Sequence, residues 1–183
     1  MRGPRGARAT EGNPMIRKDR EITDRAAQLA IIDACDVCRV CLNGADGYPY
    51  VVPLNFGVDV EGDQVTLYFH CANRGEKLDL LACDPRATFE MDCDHELIFY
   101  DERMSCTMGY RSVIGRGRLE VVPEAEKVRG LDILMRHYHA EEFAYNPRTV
   151  PATTVLRLRV EQMTGKRRDN MHPGESRWTP PAR

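Results

Sequence analysis

The chain has 183 residues, with 26 Lys and Arg against 28 Asp and Glu and a net charge of −2. That length fits one domain, able to bury about two thirds of its unfolded surface without disulfides or metals. The near-balanced charge argues against a nucleic-acid partner, which selects a basic excess, and favours a small-molecule ligand. Seven cysteines, an odd number without the rhythm of a disulfide framework, point to reduced thiols and a cytoplasmic protein. No apolar run is long enough to span a membrane.

Residues 1–14 are rich in Gly, Pro and Arg without the hydrophobic stretch of a signal peptide, so they read as a flexible leader. The domain is expected over 15–168, with 169–183 a flexible C-terminal tail whose Pro, Arg and Gly cannot pack a core. Thr23 is placed to cap a first helix, with Ile22 before it and Ala26, Leu29, Ala30 and Ile32 as its apolar stripe. Strands are expected at 37–42 and 48–58, joined by Asn43-Gly44-Ala45-Asp46-Gly47, whose glycines permit positive φ. A turn at 60–63 then leads into a strand over 64–70.

That strand opens the most informative stretch, Tyr68-Phe69-His70-Cys71-Ala72-Asn73-Arg74-Gly75-Glu76-Lys77. Leu67 and Phe69 alternate with Tyr68 and His70, giving an oily face and a functional one. The strand breaks into a polar turn that starts a helix. Free backbone N–H groups, the positive helix end and the Lys77 ammonium together favour a phosphate dianion. Lys77 is the anchor, Asn73, Arg74 and Gly75 add amides or charge, and Ser112 with Arg111 can complete the cage.

Asp84-Pro85 stops that helix. A strand over 86–92 puts Ala87, Phe89 and Met91 on one face. Another over 110–122 has Gly115 and Gly117 on the face of Val113 and Leu119, implying a sharp bend or a close backbone approach. Pro123 and Glu124 open a helix in which Val128, Leu131, Met135 and Tyr138 recur at helical spacing. The last strand, 154–162, alternates Leu156, Leu158 and Val160 with Arg157, Arg159 and Glu161. The pattern predicts a mainly β fold with flanking helices: six antiparallel strands forming a small closed or split barrel.

Read in order, 46–56, 68–77, Tyr110-Arg111-Ser112-Val113 and Met163-Thr164-Gly165-Lys166 resemble the nitroimidazole-resistance (Nim-type) group. That group lies within the pyridoxamine 5'-phosphate oxidase-like, FMN-binding split-barrel superfamily. The resemblance implies a homodimer with FMN at the subunit interface, contacted by both chains. The cofactor-binding residues it implies are Val52, Pro53, Leu54, Asn55, His70, Cys71, Ala72, Asn73, Gly75, Lys77, Tyr110 and Ser112. Pro53 removes a ladder donor, which suits an edge or bulge. Val51, Pro53 and Asn55 point to one side, where an apolar wall ending in an amide can cover a flavin ring. Tyr110 can stack against the ring or the ribityl chain.

Plainer readings stand beside these. His70 can be a strand-end histidine satisfied by a neighbour, or the catalytic group beside the ring. Cys35, Cys38 and Cys41 have iron–sulfur-like spacing, but on a strand Cys38 and Cys41 face opposite sides, and no fourth ligand follows. Cys93-Asp94-His95 has no partner pair, so no metal is expected. His137 and His139 read as helix C-terminal caps. Arg157 and Arg159 read as solvated or interface residues. The basic run Gly165-Lys166-Arg167-Arg168 reads as a tail or an anion contact.

The function that follows is an FMN-dependent oxidoreductase passing electrons from NADH or NADPH to a small organic acceptor, a nitroaromatic among the candidates. Oxidation of pyridoxamine phosphate is an alternative, weakened because its arginine-rich substrate site is not evident here. A non-catalytic flavin- or haem-binding protein is the other.

Overall fold

Alternation of buried and exposed residues sets most of the strands in this computed structural model, which describes residues 15–168 and 174–177. The expected leader, 1–14, and much of the expected tail lie outside the described residues. The first helix, α1 (Arg25–Asp33), is capped one residue later than expected. The Asp24 carboxylate, rather than the Thr23 hydroxyl, accepts the Ala27 N–H at 2.8 Å. The other helices are α2 (Glu76–Cys83) and α3 (Lys127–His137).

Nine strands are present among the described residues: β1 (Glu21–Ile22), β2 (Cys38–Asn43), β3 (Pro49–Leu54), β4 (Phe56–Glu61), β5 (Gln64–Ala72), β6 (Arg86–Tyr100), β7 (Ser105–Val121), β8 (Thr153–Arg168) and β9 (Glu175–Arg177). Six were expected. The single strand read over 48–58 breaks at Asn55 into β3 and β4, and the short β1 and β9 add to β8 and β6. β9 falls within the segment read as a flexible tail. Its Glu175 carboxylate meets Arg168 at 2.7 Å, with both side chains almost fully buried. β6 and β7 also run past their expected ends into a long hairpin, with a register shift between Cys93 and Glu96.

The main path runs β3-β2-β6-β7-β8-β5-β4, antiparallel throughout. Laid flat, such a sheet would separate its edges by about 29 Å at the usual strand spacing. Yet Leu54 ends β3 and Phe56 opens β4, so the two edges are one residue apart in the chain, within about 7 Å. The sheet therefore curls until its edges meet at Asn55. No ladder joins β3 to β4 among the described residues, so the barrel is split along that seam. Pro53 lies on an edge strand, where its missing N–H costs no ladder bond.

The barrel interior is filled by Phe56, Phe69, Phe89, Leu67, Met91, Leu156 and Leu158, all fully buried. Each contributes about 1.5–3 kcal/mol by leaving water. Gly115 and Gly117 mark the close approach that their spacing implied. A Cβ on Gly115 would sit 2.3 Å from the Phe89 ring, and one on Gly117 would sit 2.0 Å from the Arg159 carbonyl oxygen. The β7–β8 register shifts at Arg116/Gly117, so the strand bends there. A smaller apolar cluster of Tyr68, Val122, Leu131, Ile133 and Val155 lies beneath α3, outside the barrel.

Candidate functional site

β5 ends at Ala72, and the chain turns through Asn73, Arg74 and Gly75 into α2. Gly75 has φ +132, a value that a side chain rarely tolerates, and nothing lies within 4 Å of where its Cβ would be. As the cap of α2, Gly75 offers no side chain to accept the first helix amides; its carbonyl takes the Leu78 N–H at 2.8 Å, so the Glu76 and Lys77 N–H groups remain for an outside acceptor. Lys77 follows in the first turn. It is half-buried and has no hydrogen-bond or ion-pair partner among the described residues. Its ammonium sits close enough to Cys71 to pull that thiol downward, although burial pushes the thiol up by more. Glu76 and Asp79 share the turn, so Lys77 is the group that makes it hospitable to an anion.

Asn73 has other obligations. Its side-chain amide donates to the Pro151 carbonyl at 2.9 Å, and its carbonyl oxygen accepts from the Thr154 hydroxyl at 2.8 Å. Asn73 therefore ties the turn to the start of β8, and what it retains for a phosphate is its backbone N–H.

His70 is exposed on the side of β5 that faces α3. It borders a cleft of about 160 Å³ whose other walls are Leu131, Leu134, Met135, Tyr145 and residues of 149–153. The Tyr145 hydroxyl donates to Asp132 at 2.9 Å, and burial followed by that bond pushes its pKa up to about 12. Lys127, almost fully buried, pairs with Glu124 at 2.6 Å and lies 3.5 Å from the Val150 carbonyl oxygen.

On β3 the alternation turns Val52 and Leu54 inward against the core, while Val51 and Pro53 face out. Asn55 is exposed, and its amide donates to the Tyr138 hydroxyl at 3.2 Å and to the Asp36 carbonyl at 3.4 Å. Tyr110 and Ser112 are half-buried on β7, opposite Arg168 and Lys166 of β8. Cys71 and Ala72 pair with Thr154 and Thr153 at the other end of β8. The two groups are thus separated by most of that strand, about 40–50 Å along its length. The structure brings His70, Cys71, Ala72, Asn73, Gly75 and Lys77 together, and leaves Tyr110 and Ser112 at the far end of the same protomer. Arg111, named for the same cage, is engaged by Asp94.

The model of the pyridoxamine 5'-phosphate oxidase family matches residues 24–167. The chain belongs to that family. Among solved structures it is similar to a proposed 5-nitroimidazole antibiotic resistance protein from Bacteroides thetaiotaomicron, with 36% identity, 80% of this chain and 85% of that chain covered, and a TM-score of 0.69. The same fold occurs in a flavocytochrome from Azotobacter vinelandii (23% identity, 86% and 73% covered, TM-score 0.71). It occurs again in an FAD- and haem-binding protein from Mycobacterium smegmatis (22% identity, 87% and 84% covered, TM-score 0.71). Among curated proteins, none matches in sequence.

Within this pyridoxamine 5'-phosphate oxidase-family barrel, several side chains have jobs that their sequence did not advertise. Arg157, read as solvated or interfacial, is largely buried and bonds Glu120 at 2.5 Å and Glu126 at 2.7 Å; Arg159 shares Glu120 at 3.1 Å. His137 caps a neighbour rather than its own helix. Its Nε2 donates to the Cys35 carbonyl at the end of α1, at 2.8 Å, leaving a buried Nδ1 without a partner. Cys38 faces the core while Cys41 is half-exposed on the other face of β2. Tyr138 and Tyr145, which organise the seam and the cleft, escaped notice as site residues. Tyr138 looked like the end of an apolar helical stripe, and no local signal linked Tyr145 to His70.

Proposed function

We propose that this chain is an FMN-dependent oxidoreductase that takes electrons from a reduced nicotinamide and passes them to a small organic acceptor, with nitroaromatics as the leading class. The observation that carries the reading is Lys77, a half-buried ammonium without a partner among the described residues, beside the open Gly75 turn and the unbonded N–H groups of Glu76 and Lys77. That set fits a phosphate monoester, which needs a cation and several N–H donors from one side. Family membership supports a flavin there, and the Bacteroides relative supports a nitroaromatic acceptor.

When bound, the flavin supplies two-electron chemistry that no side chain offers. The chain's own part is to hold and surround it. Lys77 and the amides after Gly75 fix the phosphate, the outward face of β3 with Pro53 and Asn55 covers one side of the ring, and His70 faces the acceptor. The separation of Tyr110 and Ser112 from Lys77 along β8 favours a homodimer in which one flavin meets Lys77 of one protomer and Ser112 of its partner.

The family's phosphate-ester oxidation is disfavoured because Arg157 and Arg159 of β8 are already neutralised by Glu120 and Glu126, and Arg168 by Glu175. A binding protein without turnover is the remaining alternative, and the experiment separates the two. Protein reconstituted with FMN is mixed anaerobically with NADH or NADPH and followed at the flavin absorption band. Bleaching, with colour restored by a nitroaromatic, supports the enzyme. Bound flavin that neither nucleotide reduces leaves a binding protein, and failure to bind FMN ends the proposal.

A further inference from the structure

The turn after β5 has little of its own to hold it. Gly75 has no side chain to pack, nothing lies within 4 Å of where one would begin, and the β5–β8 ladder ends at Ala72 opposite Thr153. Yet the Glu76 and Lys77 N–H groups and the Lys77 ammonium must converge on one phosphate from one side. A loop ordered only by its ligand loses conformational freedom on binding, and affinity falls accordingly. A tie from elsewhere in the fold removes that loss. Among the described residues, the side-chain ties of the 73–75 turn are those of Asn73. Its amide donates to the Pro151 carbonyl at 2.9 Å, and its carbonyl oxygen accepts from the Thr154 hydroxyl at 2.8 Å.

The segment that Asn73 grips is stiff. The Thr149 and Val150 N–H groups donate to the Asn146 carbonyl at 3.0 and 3.3 Å, and the Ala152 N–H donates to the Thr149 carbonyl at 3.0 Å. The Thr153 hydroxyl reaches that same carbonyl at 3.1 Å. Pro151 has its φ fixed by its ring, and the Lys127 ammonium lies 3.5 Å from the Val150 carbonyl oxygen. Asn73 therefore joins a turn with few bonds to a block with many, 78 and 81 positions away in the chain. With its donor and its acceptor both engaged, the Asn73 amide is fixed from two directions, as groups that orient a binding site must be.

We propose that Asn73 is a positioning residue for the flavin phosphate: its side chain clamps the turn to Pro151 and Thr154, and so aims the Glu76 and Lys77 N–H groups before the ligand arrives. Thr154, a β8 residue bonded to the turn only through Asn73 among the described residues, then controls phosphate affinity from outside the cradle. This role rests on the flavin reading.

FMN and riboflavin, which lacks the phosphate, are titrated into the full-length wild type, Asn73→Ala, Thr154→Val, the double variant and Lys77→Ala. Flavin fluorescence gives the affinities, and thermal melting checks that each variant is folded. Asn73→Ala and Thr154→Val should each weaken FMN by about three- to tenfold, the range for one or two neutral hydrogen bonds. Riboflavin should change less than about twofold. The double variant should bind FMN as Asn73→Ala does, because Thr154 acts through Asn73. If Asn73→Ala fails to fold, Thr154→Val decides; if riboflavin binds too weakly to be read, the non-additivity of the double variant decides. The proposal is overturned by wild-type FMN affinity in the folded variants, by an equal loss for riboflavin, or by losses that simply add. Lys77→Ala keeps the two readings apart. A loss of FMN in Lys77→Ala but not in the other variants removes the role of Asn73 and leaves the flavin reading standing, whereas unchanged FMN affinity in Lys77→Ala removes both.

Discussion

The Tyr138 hydroxyl sits over Asn55 at the point where the barrel is split. It donates to the Asp36 carbonyl at 2.6 Å and accepts from the Asn55 amide and the Phe56 N–H, each at 3.2 Å. One residue at the end of α3 therefore binds the only covalent junction between the two sheet edges to the loop after α1.

Tyr138→Phe removes all three bonds without changing the ring packing, and leaves the N–H of the fully buried Phe56 short of its acceptor. At about 1 kcal/mol per bond, unfolding in denaturant should show a loss of roughly 2–3 kcal/mol. A loss below about 0.5 kcal/mol would mean that water substitutes for the hydroxyl and that the seam does not depend on it.

Lys77→Ala should weaken FMN roughly ten- to a hundredfold, the equivalent of about 1.5–3 kcal/mol for a charge-assisted contact. Lys77→Arg should recover part of it. Because Lys77 has no partner among the described residues, the melting temperature of the flavin-free protein should hardly move. Flavin fluorescence quenching gives the affinity, and an unchanged value for Lys77→Ala would place the phosphate elsewhere.

The cysteines should divide by burial. Burial pushes the Cys35 thiol up to about 12 and raises Cys38 further still, while Cys83 and Cys106 are exposed. Only a thiolate reacts readily with an alkylating agent. Iodoacetamide at pH 8, read by peptide mass spectrometry, should modify Cys83 and Cys106 in the folded protein and reach Cys35 and Cys38 only after unfolding. Equal labelling of Cys38 under native conditions would contradict the packing of β2 against the core.

The strand pattern was legible because most strands bury one face, so Leu67 and Phe69, or Leu156 and Leu158, announce themselves by alternation. The turn at Gly75 and Lys77 was legible because its chemistry is local. What could not be read was settled by distant partners. Asn55 interrupts a run that alternates as one strand, since the break is imposed by closure of the sheet rather than by Asn55 itself. Asn73 has the composition of an anion-binding turn, yet its amide goes to Pro151, 78 positions away in the chain. The outer part of the β6–β7 hairpin was missed because Asp94-His95-Glu96 breaks the apolar alternation, at the register shift where Asp94 takes a positive φ.

Acid should loosen the bracing on the outer face of β8. The Arg157 and Arg159 guanidiniums hold Glu120 below its usual value of 4.5, Arg157 by a hydrogen bond that outweighs the cost of burial. A carboxylate with a lowered folded-state pKa stabilises the fold fully above its unfolded value, and loses that contribution as pH falls through the lowered one. With the Glu120 side chain 44% exposed, solvent screening limits the effect to a few tenths of a kcal/mol, on the order of other surface pairs. Glu120→Gln should therefore be slightly less stable than the wild type at pH 7. The gap should close as the pH is lowered from about 5 towards 3, below the unfolded value. Denaturant unfolding at several pH values measures it, and a gap that widened in acid would assign the lowered pKa to the wrong partner.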